Sequence, residues 1–383
     1  MLVEIQGVNS INKGAELMLY AVLQRFDAYY KNSTIGANLR CGNFQQRSEA
    51  GLQHIAWVDV ARAPIIGPVV DIITNFIPQK MLSSMHIIKD SEIGAVLDAS
   101  GFAYSDQRGI YPAINMAKWT KRWKAQGKKI VLMPQAFGPF ENKVIKDAVI
   151  QILDNSHLIF ARDRISYDYL MELNSHSEHI KLAPDFTNLV VGQIPPYWDI
   201  DSNQFCIIPN YRMIDKTSDE VKASYLPFLE SSIKYLIERG KNPFILIHET
   251  NQDYQLAEVL QKRVQKDIKI VQETNPLYVK GIIGNCSGVI SSRFHGLVNS
   301  LSQGVPCLAT GWSHKYQMLL EDYQCPDCVV STLSTNDEIT TKISMIIDEP
   351  TRTRIVDRLK ISGSHLKSVT NAMWVDIEKV IGL

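Results

Sequence analysis

The chain lacks the excess of positive charge that would attract a polyanion. Its 383 residues include 40 Lys and Arg residues and 40 Asp and Glu residues. No run of basic residues is interleaved with aromatic residues, although a nucleic-acid-binding surface requires clustered positive charge. We therefore expect no nucleic acid among the partners. An apolar fraction of 45% and a charged fraction of 21% are typical of a soluble globular protein instead.

The six cysteines are mostly scattered along the chain, and their spacing predicts neither a disulfide framework nor a metal site. Cys325 and Cys328 have the spacing of a redox or zinc motif, but no second pair of ligands at suitable spacing accompanies them. The usage is typical of a reducing compartment. The sequence also lacks a basic segment followed by an apolar one, as in a secretory signal. We therefore expect a cytoplasmic protein without a bound metal.

What the chain does contain is an alternation of strand-like apolar runs and helical patterns. This order is typical of βα units on a parallel sheet, and the length favours two domains. A segment rich in Gly and Pro, residues 192–197, interrupts the alternation, which then restarts. The sequence predicts an α/β fold with two Rossmann-like domains around a central cleft. The predicted domains are residues 1–195 and residues 203–383, and the terminal helices are expected to pack back on the first domain.

The most informative motif is Ser291-Ser292-Arg293-Phe294-His295-Gly296, which lies between a predicted strand and a predicted helix. Backbone N–H groups and the helix dipole favour anions at such a turn. Two cationic side chains there indicate a phosphate or carboxylate ligand, and histidine can move a proton near neutral pH. The alternative is that Arg293 pairs with a carboxylate and His295 caps the helix.

Further polar side chains come directly after predicted strands. In open α/β sheets, ligands bind beyond the carboxyl ends of the strands. Each of these side chains could instead cap a helix or form a surface ion pair, but so many cations at strand ends favour an anionic ligand. The candidates are Asn9, Asn12, Glu16, Asp98, Gln135 and Asp185 in the first half, and Arg212, Ser292, His314 and Lys315 in the second half.

An ordered set of motifs resembles the polysaccharide pyruvyl transferase family and covers most of the chain. The motifs are residues 7–16, Pro134–Phe140, Ala161–Ser166, Ala183–Asp185, and Ser291–Gly296 with Gly304–Pro306. The resemblance implies a fold similar to GT-B glycosyltransferases. It also implies phosphoenolpyruvate as the donor and a cyclic pyruvate ketal on a sugar as the product, with no metal or redox cofactor.

Two segments depart from the family pattern. Residues 98–102 hold fewer glycines than is usual in relatives, and Ala15 follows Gly14 where many relatives have an acidic residue. Both departures lie in the half that is expected to bind the acceptor. The details of acceptor binding are therefore the least transferable.

The residue inventory suits this chemistry, because arginine pairs in a planar, bidentate manner with either a carboxylate or a phosphate. We expect His295 to be the general acid and Arg293 to be the main ligand of the donor anion. Asp98 and Asp185 compete for the role of base. Further donor ligands are expected at Arg212, Ser292, His314 and Lys315, and acceptor ligands at Asn9, Asn12, Glu16 and Gln135.

Residues 64–85 form a strongly apolar segment that three prolines and Asp71 interrupt. A membrane-spanning helix needs about 20 predominantly apolar residues, so the segment is a poor candidate for one. We expect a short helix packed on its domain. The alternative is an interfacial patch through which the protein reaches a lipid-linked sugar at the inner face of the membrane.

Three function classes remain open. The first is a pyruvyl transferase that acts on a precursor of a surface polysaccharide, such as a capsule or exopolysaccharide, carried on a lipid. The second is a GT-B-type glycosyltransferase whose cations bind the diphosphate of a nucleotide sugar, since one scaffold serves both chemistries. The third is a non-catalytic carbohydrate-binding protein, which the presence of both Arg293 and His295 disfavours.

Overall fold

The computed structural model describes residues 1–10, 12–31, 33–37, 41, 47, 50–55, 76–84, 87–174, 178–200, 204–249, 251–311 and 314–383. The chain divides into two compact units. Unit 1 comprises Met1–Ser10, Met18–Phe186 and Val369–Leu383, and unit 2 comprises Ile11–Leu17 and Thr187–Ser368. Compared with the predicted spans of 1–195 and 203–383, residues 11–17 and 187–195 lie in unit 2 and residues 369–383 lie in unit 1, because packing decides unit membership and chain order does not.

Unit 1 is built on an eight-stranded parallel sheet with the order β4-β3-β2-β1-β5-β6-β7-β8. Its central strands β5 and β7 are buried at every position, as is typical of a sheet with both faces covered. The strands are β1 (Leu2–Gln6), β2 (Thr34–Ala37), β3 (Gln53–Ile55), β4 (Ile87–Ile88), β5 (Ala95–Asp98), β6 (Lys129–Gln135), β7 (Leu158–Ala161) and β8 (Ile180–Leu182).

The helices of the first half connect these parallel strands. Side-chain caps start two of them: Asn142 accepts a hydrogen bond from the N–H of Val144 at 2.9 Å, and Asp163 accepts one from the N–H of Ser166 at 2.8 Å. The helices are α1 (Lys13–Tyr29), α2 (Gln79–Ser84), α3 (Ile110–Ala125), α4 (Lys143–Asn155) and α5 (Arg164–Leu173). The residues of α1 up to Leu17 belong to unit 2, and those from Met18 onward belong to unit 1.

Unit 2 is built on a five-stranded parallel sheet with the order β11-β10-β9-β12-β13. Its strands are β9 (Gln204–Ile208), β10 (Asn242–Ile247), β11 (Ile270–Gln272), β12 (Gly288–Ser291) and β13 (Cys307–Ala309). Its helices are α6 (Arg212–Asp215), α7 (Asp219–Glu238), α8 (Asn251–Val264), α9 (Pro276–Gly284), α10 (Phe294–Leu301), α11 (His314–Asp322), α12 (Asn336–Ile347) and the start of α13 (Thr351–Ile381).

Each sheet contains a point at which the strand order reverses. In unit 1, β1 lies between β2 and β5, and in unit 2, β9 lies between β10 and β12. Because the connections on the two sides run in opposite directions, the loops after such neighbouring strands leave a crevice at the carboxyl edge of the sheet. The topology of unit 2 therefore brings the turns that follow β9, β10 and β12 to one edge.

The predicted α/β class with parallel sheets is confirmed, and most predicted elements are present. The short strands β2, β3 and β4, on one side of β1, were not predicted. The helix α10 begins earlier than predicted: its first residue is Phe294, and Arg293 is its N-cap residue. His295 therefore lies in the first turn of a helix rather than in a loop.

Most of the apolar segment 64–85 lies outside the described residues, which resume at Phe76. Within the described part, Gln79–Ser84 is a helix, and the side chains of Phe76 and Met81 are largely exposed. None of the helices that the structure describes is both long enough and apolar enough to cross a membrane.

A buried carboxyl group lies in the central strand of unit 1. Glu4 of β1 is buried, and its Oε2 atom has no hydrogen-bond partner among the described residues. Its Oε1 atom accepts a hydrogen bond from Gln6. Burial raises the pKa of Glu4 to about 8, although the positive charge of Lys128 opposes the shift. Lys128 itself is bound to Asp90 at 2.5 Å.

We expect Glu4→Gln to stabilise the protein increasingly as the pH rises. In the wild type, the native state keeps a proton on Glu4 that the unfolded chain releases between the ordinary pKa of 4.5 and about pH 8. The wild-type free energy of unfolding therefore falls across this window, and glutamine avoids that loss. Urea titrations at pH 5 and pH 8 should show a relative gain of roughly 3 kcal/mol for the variant.

The exposed Glu141→Gln provides the control for Glu4→Gln, since it makes the same substitution at the surface of the same unit. Its difference from the wild type should change little between pH 5 and pH 8. A difference between Glu4→Gln and the wild type that stays constant with pH would contradict the buried, protonated carboxyl group.

Candidate functional site

The turns at the carboxyl edge of the sheet in unit 2 are joined by hydrogen bonds. After β9, Asn210 donates from its side chain to the carbonyl oxygen of Ser292 at 2.8 Å. The N–H of Tyr211 donates to Oδ1 of Asp253, on α8, at 2.9 Å. The turn after β9 therefore binds both the turn after β12 and the helix after β10. This arrangement places polar groups from three strands around Arg293.

Arg293 is buried at the N-terminus of α10, and its guanidinium forms ion pairs with Glu249 and Asp253. Asp253 is fully buried, whereas the side chain of Glu249 is 17% exposed. Two carboxylates supply the counter-charge that a buried guanidinium requires. The pairing that the sequence offered as an alternative is thus present, and the role of Arg293 as a donor ligand stays a prediction.

Ser292 lies inside the protein, and two tyrosines hold it there. Its hydroxyl accepts a hydrogen bond from Tyr225 at 2.7 Å, and its carbonyl oxygen accepts one from Tyr316 at 3.0 Å. Burial raises the pKa of the Tyr225 hydroxyl, so this group remains a donor. The contacts of Ser292 fix the turn before Arg293, and the predicted binding of the donor by Ser292 is untested.

Two histidines lie at this edge in different surroundings. His248 follows β10 and is buried, and its burial lowers the pKa well below the ordinary value, with the charges of Arg293 and His295 adding to the effect. His248 is therefore neutral near pH 7. His295 is only half-buried, in the first turn of α10. Of these two side chains, that of His295 is the less buried, although its Nε2 atom is itself buried.

The start of α1 packs against this edge within unit 2. Asn12 caps the helix, because its Oδ1 atom accepts hydrogen bonds from the N–H of Gly14 at 2.9 Å and of Ala15 at 3.1 Å. Its Nδ2 atom donates to Oε1 of Glu249 at 2.7 Å. Gly14 faces the ring of His295: a Cβ atom there would lie 2.1 Å from Nδ1. Glycine at this position therefore lets the helix approach the histidine.

Other predicted residues of this set are more peripheral. Glu16 pairs with Lys13 at 2.6 Å, and burial raises its pKa. Arg212 pairs with Asp215, and its side chain is largely exposed. Lys315 lies in the first turn of α11 together with His314, and its ammonium is 5.6 Å from the ring centroid of Phe294.

The structure brings two of the predicted residues of unit 1 together. Asp98, at the end of β5, accepts hydrogen bonds from Ser100 at 2.5 Å, from Tyr104 at 2.9 Å and from Gln135 at 2.9 Å. Burial raises the pKa of Asp98, and these hydrogen bonds oppose the shift. Gly7, with φ +77°, packs so closely that a Cβ atom would lie 2.3 Å from Oγ of Ser100. The carboxyl group of Asp98 is thus enclosed by donors.

Asp185 and Asn9 occupy separate positions in unit 1. Asp185 follows β8 and binds the guanidinium of Arg162 at 3.0 Å, with both side chains buried. Asn9 is half-buried in the loop after β1. The assignments of Asp185 as a base and of Asn9 as an acceptor ligand remain predictions.

Glu249 and Asp253 contact Arg293 at this edge, and neither was assigned a role from the sequence. Glu249 follows a predicted strand, as the selected residues do, and Asp253 comes four residues later. Glu249 lies in the turn after β10, and Asp253 lies in the first turn of α8. Only the strand order β10-β9-β12 shows that this turn and this helix meet Arg293.

Solved structures with the same fold include proteins determined with UDP or a UDP-sugar bound. UDP-GlcNAc 2-epimerase from Neisseria meningitidis, bound to UDP-GlcNAc, matches with a TM-score of 0.62, 10% identity and coverage of 99% of each chain. MnaA of S. aureus with UDP matches with a TM-score of 0.60, 9% identity and coverage of 100% of this chain and 97% of the other. HepE of Anabaena with UDP-glucose has a TM-score of 0.59, 11% identity and coverage of 99% and 100%. At such low identity the matches show the fold alone, and they confirm the predicted GT-B-like class.

A protein-family model also matches the sequence. Its description is polysaccharide pyruvyl transferase, and it spans residues 12–314. The matched range begins at Asn12 and ends at His314, so it includes the cluster around Arg293 in unit 2 as well as Asp98 and Asp185 in unit 1.

We expect Gly14→Ala to destabilise unit 2 and to displace the ring of His295. The added methyl group overlaps the ring, and overpacking of this kind typically costs about 1–3 kcal/mol. Thermal unfolding measures the loss, and the histidine ring signals in NMR spectra report the displacement. The matched control is Gly363→Ala in α13, where the nearest atom to the new Cβ lies at 3.6 Å, on Tyr323.

Gly363→Ala should stabilise the protein by roughly 0.5–1 kcal/mol, because alanine favours a helix interior over glycine. The account of Gly14 is wrong if both alanine variants raise the melting temperature and leave the ring signals of His295 unchanged.

Proposed function

Since this chain belongs to the polysaccharide pyruvyl transferase family, we propose that it transfers the enolpyruvyl group of phosphoenolpyruvate to a sugar. Two hydroxyls of that sugar, in a lipid-linked precursor of a surface polysaccharide, become bridged by a cyclic pyruvate ketal, and phosphate is released. The observation that carries the proposal is the position of Arg293 and His295 at the N-terminus of α10, with the ammonium of Lys315 5.6 Å from the ring centroid of Phe294 in the same turn.

The donor has two anionic groups, a carboxylate and a phosphate, so its pocket needs several positive charges. Arg293 and Lys315 are two such charges, and the first N–H groups of α10 add the partial charge of the helix dipole. Arg212, on the neighbouring turn after β9, and His314 are further ligands in this proposal. The proposed chemistry requires no metal ion.

The proposed reaction begins with a proton transfer from His295 to the methylene carbon of the donor. The C2 carbon becomes oxocarbenium-like, and one sugar hydroxyl attacks it and gives its proton to a base. The bond from C2 to the phosphate oxygen then breaks, and a second hydroxyl closes the ring with loss of its own proton. His295 is proposed for the first step because an imidazole side chain can act as a general acid, whereas His248 is held neutral.

The acceptor side of the proposal involves unit 1 and the start of α1. Asp98 and Asp185 are the two proposed bases, and the raised pKa of Asp98 supports its ability to take a proton. Asn9, Asn12, Glu16 and Gln135 are the proposed ligands of the sugar hydroxyls.

A nucleotide-sugar glycosyltransferase is the second candidate. It is favoured by the shared fold with HepE, solved with UDP-glucose, because a diphosphate needs the same kind of cationic turn. A non-catalytic carbohydrate-binding protein is the third. The three candidates differ in the anion that should stabilise the protein.

We expect phosphoenolpyruvate to raise the melting temperature of the wild type and not that of Arg293→Ala. A ligand at about 100 times its dissociation constant stabilises by about 2.7 kcal/mol, which a melting experiment detects. His295→Ala should still bind the donor but lose the release of phosphate, because an acid catalyst need not hold the donor. Arg239→Ala, which removes a surface arginine paired with Asp348 at 2.5 Å, is the matched control and should respond as the wild type does.

Stabilisation by uridine or guanosine diphosphate, without any response to phosphoenolpyruvate, would move the assignment to the glycosyltransferase. No response to either anion, with or without an oligosaccharide, would favour the non-catalytic candidate. An equal response of the wild type and Arg293→Ala to phosphoenolpyruvate would remove Arg293 from the donor site.

We also propose contact with the inner face of the membrane, where a lipid-linked acceptor would be met. The support is the exposure of Phe76 and Met81, at 84% and 57%, with the exposed Lys80 beside them. Large apolar side chains with a neighbouring cation are suited to the interface of an anionic bilayer.

We expect the wild type to co-sediment with anionic liposomes and the double variant Phe76→Ser and Met81→Ser to remain in solution. The variant should keep the wild-type melting temperature, because exposed side chains contribute little to stability. Substitution of Tyr111 by serine, which removes another exposed apolar side chain of unit 1, serves as the control. Equal sedimentation of the wild type and the double variant would contradict the membrane contact.

A further inference from the structure

The guanidinium of Arg293 forms ion pairs with two carboxylates that differ in their surroundings. Asp253 is fully buried, and its other oxygen accepts a hydrogen bond from the N–H of Tyr211 at 2.9 Å. Glu249 is partly exposed and lies directly after β10. One positive charge thus faces two negative charges. An anion that approaches Arg293 therefore meets a group whose charge is already more than neutralised.

An anionic ligand can bind Arg293 only if one carboxylate gives way, since like charges at hydrogen-bond distance repel strongly where solvent is scarce. Displacement of Asp253 would separate a fully buried carboxylate from its cation, at a high cost. Displacement of Glu249 costs less, because its side chain can reach solvent. The two carboxylates are therefore unequal, and Glu249 is the one that an anion can replace.

We propose that Glu249 is a displaceable counter-anion, which pairs with Arg293 until a small carboxylate- or phosphate-bearing ligand takes its place. The identity of that ligand as phosphoenolpyruvate rests on the proposed function. Asp253 stays paired in both states and holds the guanidinium in position. The exchange keeps Arg293 charge-compensated in its buried position whether or not the ligand is bound.

Asn12 gives Glu249 a second partner during this exchange. Its Nδ2 atom donates to Oε1 of Glu249 at 2.7 Å, while its Oδ1 atom caps α1. Because the cap fixes Asn12 on the helix, Glu249 can leave Arg293 and retain one hydrogen bond. Binding of the anion is thereby linked to the segment that carries Gly14 and faces His295.

Removal of the charge of Glu249 changes the affinity for an anion in opposite directions under this proposal and under a purely structural role. If Glu249 only orients Arg293, removal of its charge disorders the guanidinium and weakens anion binding. If Glu249 competes with the ligand, removal of its charge strengthens anion binding. Glu249→Gln keeps the size of the side chain and the hydrogen bond from Asn12, so it changes mainly the charge.

The experiment is isothermal titration of the full-length protein with phosphoenolpyruvate and, separately, with inorganic phosphate. Glu249→Gln should bind each anion about tenfold or more tightly than the wild type, because one repulsive charge at contact distance is removed. Asp253→Asn should bind each anion more weakly. Glu230→Gln, which removes a carboxylate paired with Lys234 and Arg263 at 2.7 Å on the surface of unit 2, should bind as the wild type does.

Equal or weaker binding of both anions by Glu249→Gln, with an unchanged melting temperature, would overturn the proposal. So would the absence of binding of both anions to this variant at millimolar concentration. Tighter binding of inorganic phosphate together with no binding of phosphoenolpyruvate would support the counter-anion and contradict the proposed donor. A failure of the counter-anion proposal is thus distinguishable from a failure of the proposed donor.

Discussion

The burial of one guanidinium is the constraint on which the site in unit 2 depends. Arg293 is buried at the N-terminus of α10, where the helix dipole offers it no stabilisation, so its charge must be balanced by side chains. Glu249 and Asp253 supply that balance, and they come from the turn and the helix that follow β10, which lies two strands away from β12 in the sheet. The same ion pairs that fix the fold at this edge therefore control the access of an anion.

The polar groups at the strand ends have different surroundings in the two sheets. In unit 2, carboxylates surround a cation, and a half-buried histidine lies beside them. In unit 1, Asp98 is enclosed by neutral donors from Ser100, Tyr104 and Gln135, and its pKa is raised. A carboxyl group with a raised pKa and a cation with removable counter-charge suit proton transfer and anion binding respectively. This difference agrees with the roles that the family membership leads us to propose.

The sequence was sufficient for the class of fold and for the motif at Arg293 and His295. Alternating apolar runs and helices predict a parallel sheet because each strand must be covered on both faces, and strand ends then become natural places for polar groups. The sequence was not sufficient to show the importance of Glu249, Asp253 and Gly14. Their importance depends on which strands are neighbours and on how closely α1 approaches His295, and neither is visible in local patterns. Short strands such as β3 and β4 were missed because two or three residues carry no periodicity.

A structure of the protein crystallised with phosphoenolpyruvate would test the central claim most directly. The account predicts that a carboxylate or phosphate oxygen of the donor lies within hydrogen-bond distance of the guanidinium of Arg293. It also predicts that Asp253 remains paired, whereas Glu249 has moved away and retains only Asn12 as its partner. Donor density at another edge of either sheet, or donor bound while Glu249 still pairs with Arg293, would contradict the account.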